Sequence, residues 1–122
     1  MEEEFIISLA LEMGVFMLGS GLLVAVTEEL FYRGLVQGIL SQRFKPWIVI
    51  SAASFVFSAF HISYWIIGNY DPSRLPVPQF FVGIILGVLF WKSKSIWLPL
   101  FVHVWMNFLG VFLTIIAWLI IL

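Results

Sequence analysis

Leu22–Ser41 reads LLVAVTEELFYRGLVQGILS. An apolar helical stretch here carries two adjacent carboxylates, Glu28 and Glu29, and a guanidinium, Arg33. Glu29 and Arg33 stand at i,i+4, so they can pair along one helix face, and Gln37 continues that row. Glu28 is rotated by about 100° from Glu29 and can point elsewhere. Upstream, the apolar run extends back to Phe5, interrupted at Gly19-Ser20-Gly21. One unbroken helix over 5–41 would be about 55 Å long against a hydrocarbon core of about 30 Å. A bend or break is therefore expected at the Gly-Ser-Gly triplet.

The remainder of the chain has the same character. Spans are expected from Trp47 to Ile67, from Pro78 to Trp91, and from Ile96 to the C-terminus. The turns between them hold Gln42-Arg43-Phe44-Lys45-Pro46, a Gly/Pro-rich loop at 68–76, and Lys92-Ser93-Lys94-Ser95. Pro46 suits the first turn of its helix. Gly83 and Gly87, four apart, favour close helix contact. Of 122 residues, 62% are hydrophobic and only 11% charged, with a mean hydropathy of +1.09. A soluble domain averages about 25% charged residues, so the polar surface is too small to cover a water-soluble globule. The expected fold is all-α, a polytopic transmembrane bundle of four to five helices forming one domain over 1–122. The lipid bilayer is its solvent.

Other classes are excluded or unsupported. A net charge of −1 leaves no footprint for nucleic acid. No cysteine is present, which removes disulfides and thiolate metal sites. The acidic start Met1-Glu2-Glu3-Glu4 is unlike the basic first region of a cleavable signal. Arg43, Lys45, Lys92 and Lys94 sort to one side of this topology and Arg74 to the other. The positive-inside rule then places the 42–46 and 92–95 loops in the cytoplasm.

Polar residues in three apolar spans bring the reading to function. Glu28, Glu29, Arg33, His61, His103 and Asn107 all fall inside spans. Two Glu and one Arg left unpaired would cost about 8–10 kcal/mol on insertion scales, so they face one another or a wet cavity. Counted from the proposed cytoplasmic turns, Glu28 lies about 20 Å deep, His61 about 22 Å, His103 about 12 Å and Asn107 about 18 Å. His103 and Asn107 are i,i+4 and project toward one neighbour. Phe57 lies one turn before His61 and can shield it from lipid. These groups suit hydrolysis. A carboxylate takes a proton from water, an imidazole orients it or passes the proton on, and a second imidazole with an amide stabilises an oxyanion. Ser58 and Ser63 lack the surroundings of a serine nucleophile.

Structural alternatives stand beside each element. The Glu pair can be an interfacial acidic cap, and Glu29–Arg33 a structural ion pair. His61 can be a core or interfacial histidine, and His103 with Asn107 interhelical hydrogen-bond glue. Glu12 has no role here. Tyr64, Trp65, Trp97 and Trp118 read as interface or packing aromatics. The convergence of independent groups on one layer favours a site.

Three motifs stand in order: Glu28-Glu29-Leu30-Phe31-Tyr32-Arg33 as E-E-x-x-x-R, Phe57-Ser58-Ala59-Phe60-His61 as F-x-x-x-H, and His103-Val104-Trp105-Met106-Asn107 as H-x-x-x-N. This ordered triple resembles the CPBP family, which holds type II CAAX prenyl proteases and bacteriocin-processing or abortive-infection relatives. The flanks Arg33-Gly34-Leu35 and Ser95-Ile96-Trp97-Leu98-Pro99 are also similar, and the match covers about residues 20–110. The resemblance implies an intramembrane endopeptidase acting on a peptide or membrane-protein substrate. By it, Glu28 and His61 would activate the attacking water, His103 and Asn107 would stabilise the oxyanion, and Glu29 with Arg33 would support the site. A metal-free site is favoured; the alternative is zinc held by Glu28, His61 and His103. Family members commonly carry additional spans before the first motif, and this chain has at most one. A minimal version, a fragment, or a bundle completed by a partner chain or oligomer is therefore expected. A non-catalytic immunity or scaffold protein is the competing functional reading.

Overall fold

The computed structural model describes residues 2–67 and 76–121. Among these residues every element is helical, and there are four helices. The first, α1, is α-helical over Glu2–Glu29, passes through a π-helical stretch at Leu30–Gln37, and closes with a last turn at Gly38–Leu40. The others are α2 (Pro46–Ile67), α3 (Val77–Ser93) and α4 (Trp97–Ile121). Pro46, Pro78 and Pro99 all fall in first turns, where a missing N–H costs nothing. The loop expected at 68–76, with Arg74, lies outside the described residues apart from Pro76, as do the side chains of Tyr64, Trp65 and Trp118.

The break expected at Gly19-Ser20-Gly21 does not occur. The α1 backbone stays helical through it, because an amide opened in an apolar environment finds no water to replace its helix partner. Gly21 instead admits Asn107 of α4, whose Cβ would lie 3.6 Å from a Cβ placed on the glycine. The irregularity falls further along, at Leu30–Gln37, where i→i+5 hydrogen bonding re-phases the helix around Arg33 and Gln37.

Glycines set the approach of α3. A Cβ on Gly83 would lie 2.9 Å from Ser54 Cβ and 3.0 Å from Ser54 Cα, and one on Gly87 would lie 3.0 Å from Ile50 Cγ2. These contacts lock α3 against α2, with Ile50, Ala53, Ser54 and Leu86 buried between or beside them. Gly83→Ala is expected to destabilise the protein by about 1–3 kcal/mol, the usual cost of overpacking, in detergent-solubilised thermal unfolding. An unchanged melting temperature would show that Gly83 does not set the α2–α3 distance. The α1–α4 pair runs antiparallel, from Gly14 beside Ile115 to Glu29 beside His103.

The distribution of side chains is inverted relative to a soluble protein. Phe16, Leu23, Phe55, Phe81, Phe101, Trp105 and Phe112 are exposed, whereas Glu29, Arg33, Gln37, Ser54 and His103 are buried. Ile7–Leu40 and Trp97–Ala117 are long and apolar enough to cross a bilayer, and only 12% and 6% of their apolar windows are buried within the protein. A core helix of a soluble domain would be mostly covered. Pro46–Ile62 and Val77–Ser93 are shorter apolar helices. The chain is an integral membrane protein, and its polar groups collect where the helices meet.

Candidate active site

His103 lies between the two glutamates. Its Nδ1 donates to Glu29 Oε1 at 2.8 Å, and its Nε2 stands 3.5 Å from Glu28 Oε2. Glu28 and Glu29 therefore do not diverge, as their rotation along the helix permits; they reach one imidazole from its two sides. The Nδ1 contact with a carboxylate fixes the proton on that nitrogen. A second proton, on Nε2 or on Glu28, makes the other contact favourable, because a bare lone pair would repel the carboxylate.

The two carboxylates have different surroundings. Glu29 is fully buried, and its Oε1 also stands 3.1 Å from Arg33 Nη1. Glu28 keeps 17% of its side chain accessible, making it the open edge of the cluster. Arg33, itself 1% exposed, donates through Nη2 to the Gly83 carbonyl at 3.0 Å. One turn on, Gln37 Nε2 donates to the Gly87 carbonyl at 3.0 Å. Both bonds join residues 50 apart in the chain. The second half of α1 and α3 therefore advance together in parallel, with the π-helical stretch presenting both donors to one row of carbonyls.

Helix carbonyls are already engaged in the backbone ladder, but each keeps a second lone pair that a side chain can use. Close approach is needed to reach it, and the glycines permit that approach. The sequence shows Gln37 on the Glu29–Arg33 row and shows Gly83 and Gly87 as small residues. It carries no sign that the two rows meet. Glu29 Oε2, Arg33 Nε and Gln37 Oε1 are buried without a hydrogen bond among the described residues, so the cluster retains unused hydrogen-bonding capacity.

His61 and Asn107 occupy the margins. His61 Nδ1 lies 2.7 Å from its own helix's Phe57 carbonyl, so that nitrogen donates and Nε2 carries the lone pair when the ring is neutral. It lies within electrostatic range of Glu28. Asn107 Nδ2 donates to the Gly21 carbonyl at 3.0 Å, which uses one of its two amide hydrogens. Phe57 fills the centre, 2% exposed. Its ring centroid is 4.6 Å from that of His61, 6.0 Å from that of His103 and 5.3 Å from Arg33 Cζ. Tyr32 packs edge-on against it at 5.1 Å. Phe57 thus shields more than His61, since it forms the apolar wall of the whole cluster. Glu12, far from this site along α1, accepts from Ser8 Oγ at 3.5 Å on an exposed face.

Among the described residues no group of three His, Cys, Asp or Glu side chains is placed to hold a metal ion. His103 directs both ring nitrogens at carboxylates. The donor arrangement suits proton transfer and hydrogen-bond donation.

Comparison with known proteins agrees with the ordered motifs. A family model described as type II CAAX prenyl endopeptidase Rce1-like matches residues 10–109. No curated protein and no solved structure matches the chain.

Proposed function

The chain belongs to the Rce1-like family of type II CAAX prenyl endopeptidases, a family of membrane proteases, and on that premise we propose that it hydrolyses a peptide bond with water activated by Glu28. The observation that carries the reading is the division of labour around His103, with Glu29 sealed on one ring nitrogen and the accessible Glu28 on the other. Glu29 orients His103 as a buried carboxylate orients a catalytic histidine in other hydrolases. With Nδ1–H held by Glu29, the Nε2 edge faces the space beside Glu28.

In the proposed reaction, Glu28 takes a proton from water while His61 Nε2 accepts the water's other hydrogen and orients it. The water oxygen bonds to the peptide carbonyl carbon. His103 Nε2–H and the second amide hydrogen of Asn107 donate to the resulting oxyanion. The proton on Glu28 then passes to the amide nitrogen as the C–N bond breaks, releasing an amine and a carboxylic acid, whose remaining proton passes to the amine to leave a carboxylate and an ammonium group. Arg33 holds Glu29 in place and does not touch the reacting atoms. No step requires a metal ion. The substrate is a peptide presented at the membrane, and the 42–46 and 92–95 loops face the cytoplasm.

The purified protein in proteoliposomes is expected to cleave a member of a panel of prenylated, leader-type and transmembrane peptides. In water enriched with heavy oxygen, one label enters the new carboxyl group. Zinc measured on the same sample should be far below one per chain. Stoichiometric zinc that is lost on His61→Ala would replace the metal-free chemistry with a metal-assisted one. A silent panel would favour the competing reading of a non-catalytic immunity or scaffold protein, in which the cluster only ties α1, α3 and α4 together.

A further inference from the structure

Away from the polar cluster, the opposite end of α2 and the last turn of α3 combine charge and an apolar hollow. Four of the six Lys and Arg residues, Arg43, Lys45, Lys92 and Lys94, lie in the two turns at this end, and neither 41–46 nor 92–96 contains Asp or Glu. Between the helices opens a cleft of about 560 Å³, lined by Trp47, Ile50 and Ser51 of α2 and Ile84, Val88 and Trp91 of α3. That volume lies within the range of small-ligand sites, about 300–1,000 Å³.

Charge and cleft are joined physically. Lys94 Nζ stands 5.4 Å from the centroid of the Trp91 ring, which lines the cleft. Lys94 adopts a left-handed backbone, φ 54, as it caps α3, which reverses the chain and lets the side chain lie back over that ring. Lys45 directly precedes the lining residue Pro46, and Lys92 directly follows Trp91. An apolar slot bordered in sequence by lysines that form no ion pair among the described residues, one of them seated on its wall, is complementary to a molecule with a hydrocarbon chain and an anionic head.

We propose that this cleft is a binding site for an anionic phospholipid, one acyl chain lying between α2 and α3 and the phosphate held by Lys45, Lys92 and Lys94. Basic pockets between transmembrane helices recognise anionic headgroups in this way. The general bias of lysines toward one side of a membrane accounts for their presence in the turns. It accounts neither for the cleft they border nor for Lys94 seated on its wall. The proposal is independent of peptidase activity.

Native mass spectrometry of the full chain in detergent, with phosphatidylglycerol and phosphatidylcholine of identical chains in equal amounts, tests it. The protein is expected to retain phosphatidylglycerol preferentially, with the preference falling about fivefold for each of Lys45→Gln and Lys94→Gln. Ser51 is exposed, so Ser51→Phe fills the slot without entering the core. It should reduce retention of both lipids while circular dichroism stays unchanged. Equal retention of the two lipids, or a preference unaffected by the lysine substitutions, overturns the proposal. Undiminished retention by Ser51→Phe overturns it as well, since the basic end would then attract lipid without the cleft.

Discussion

Glu28→Gln is expected to lower the rate of peptide cleavage by about 10²–10⁴-fold, the contribution of a positioned general base, while leaving the melting temperature close to that of the wild type. The substitution is near-isosteric, and the amide oxygen can still accept from His103 Nε2–H. Glu28 is also the accessible member of the cluster, with 17% of its side chain exposed. Removing its charge therefore does not leave a buried partner stranded, since Glu29 remains on the other ring nitrogen of His103 at 2.8 Å. Rates measured on a cleaved peptide, beside thermal unfolding of the same preparation, separate chemistry from folding. A variant that keeps more than about a tenth of the wild-type rate would move the base elsewhere, because that loss lies below the range for general-base removal.

Arg33→Met should do the reverse of a purely chemical substitution and cost about 3–5 kcal/mol of stability, the range for breaking a buried ion pair from one side. Glu29 would lose its guanidinium partner at 3.1 Å with none of its side chain exposed. The Gly83 carbonyl would lose its side-chain donor from α1. Methionine matches the length of the arginine stem, so lost volume is a minor part of the effect. The double substitution Glu29→Gln/Arg33→Met removes both charges and should recover part of the loss, with a coupling of roughly 0.5–3 kcal/mol. Reversible unfolding in mixed micelles measures all four members of the cycle. Additive effects would mean that the two groups, although adjacent, are stabilised by separate surroundings.

These two expectations divide the adjacent glutamates by consequence. The sequence reading assigned Glu29 to Arg33 from their i,i+4 spacing, and the structure places them in contact. That spacing is a local property of any helix, so it survives without knowledge of the tertiary fold. The membrane character was equally legible, because 62% hydrophobic residues among 11% charged ones leave one solvent that fits. Helix starts at Pro46 and Val77 were readable from proline positions within a residue or two.

The break expected at Gly19-Ser20-Gly21 is absent for a physical reason. Helix propensity is measured in water, where a glycine's exposed backbone can be solvated. In lipid the same backbone has no alternative partner, so the helix persists and the small residue is used for packing. The re-phasing at Leu30–Gln37 was not visible, because no residue type marks a π-helical stretch. It is stabilised by what it makes possible, namely Arg33 and Gln37 reaching the Gly83 and Gly87 carbonyls together.

By itself, the sequence determined the solvent, the order of the helices from Pro46 onward, the ordered motifs of the family, and the Glu29–Arg33 pair. Each of these depends on composition or on spacing along one helix. The tertiary structure alone decided that His103 stands between both glutamates, that Glu28 is the accessible one, and that two glycine carbonyls receive the Arg33–Gln37 row. Those features depend on the rotation and separation of helices distant in the chain, which are set by contacts such as Gly83 against Ser54. No local spacing encodes them. The glutamate pair was readable as a pair; its division into a sealed member and an open one required the helix packed against it.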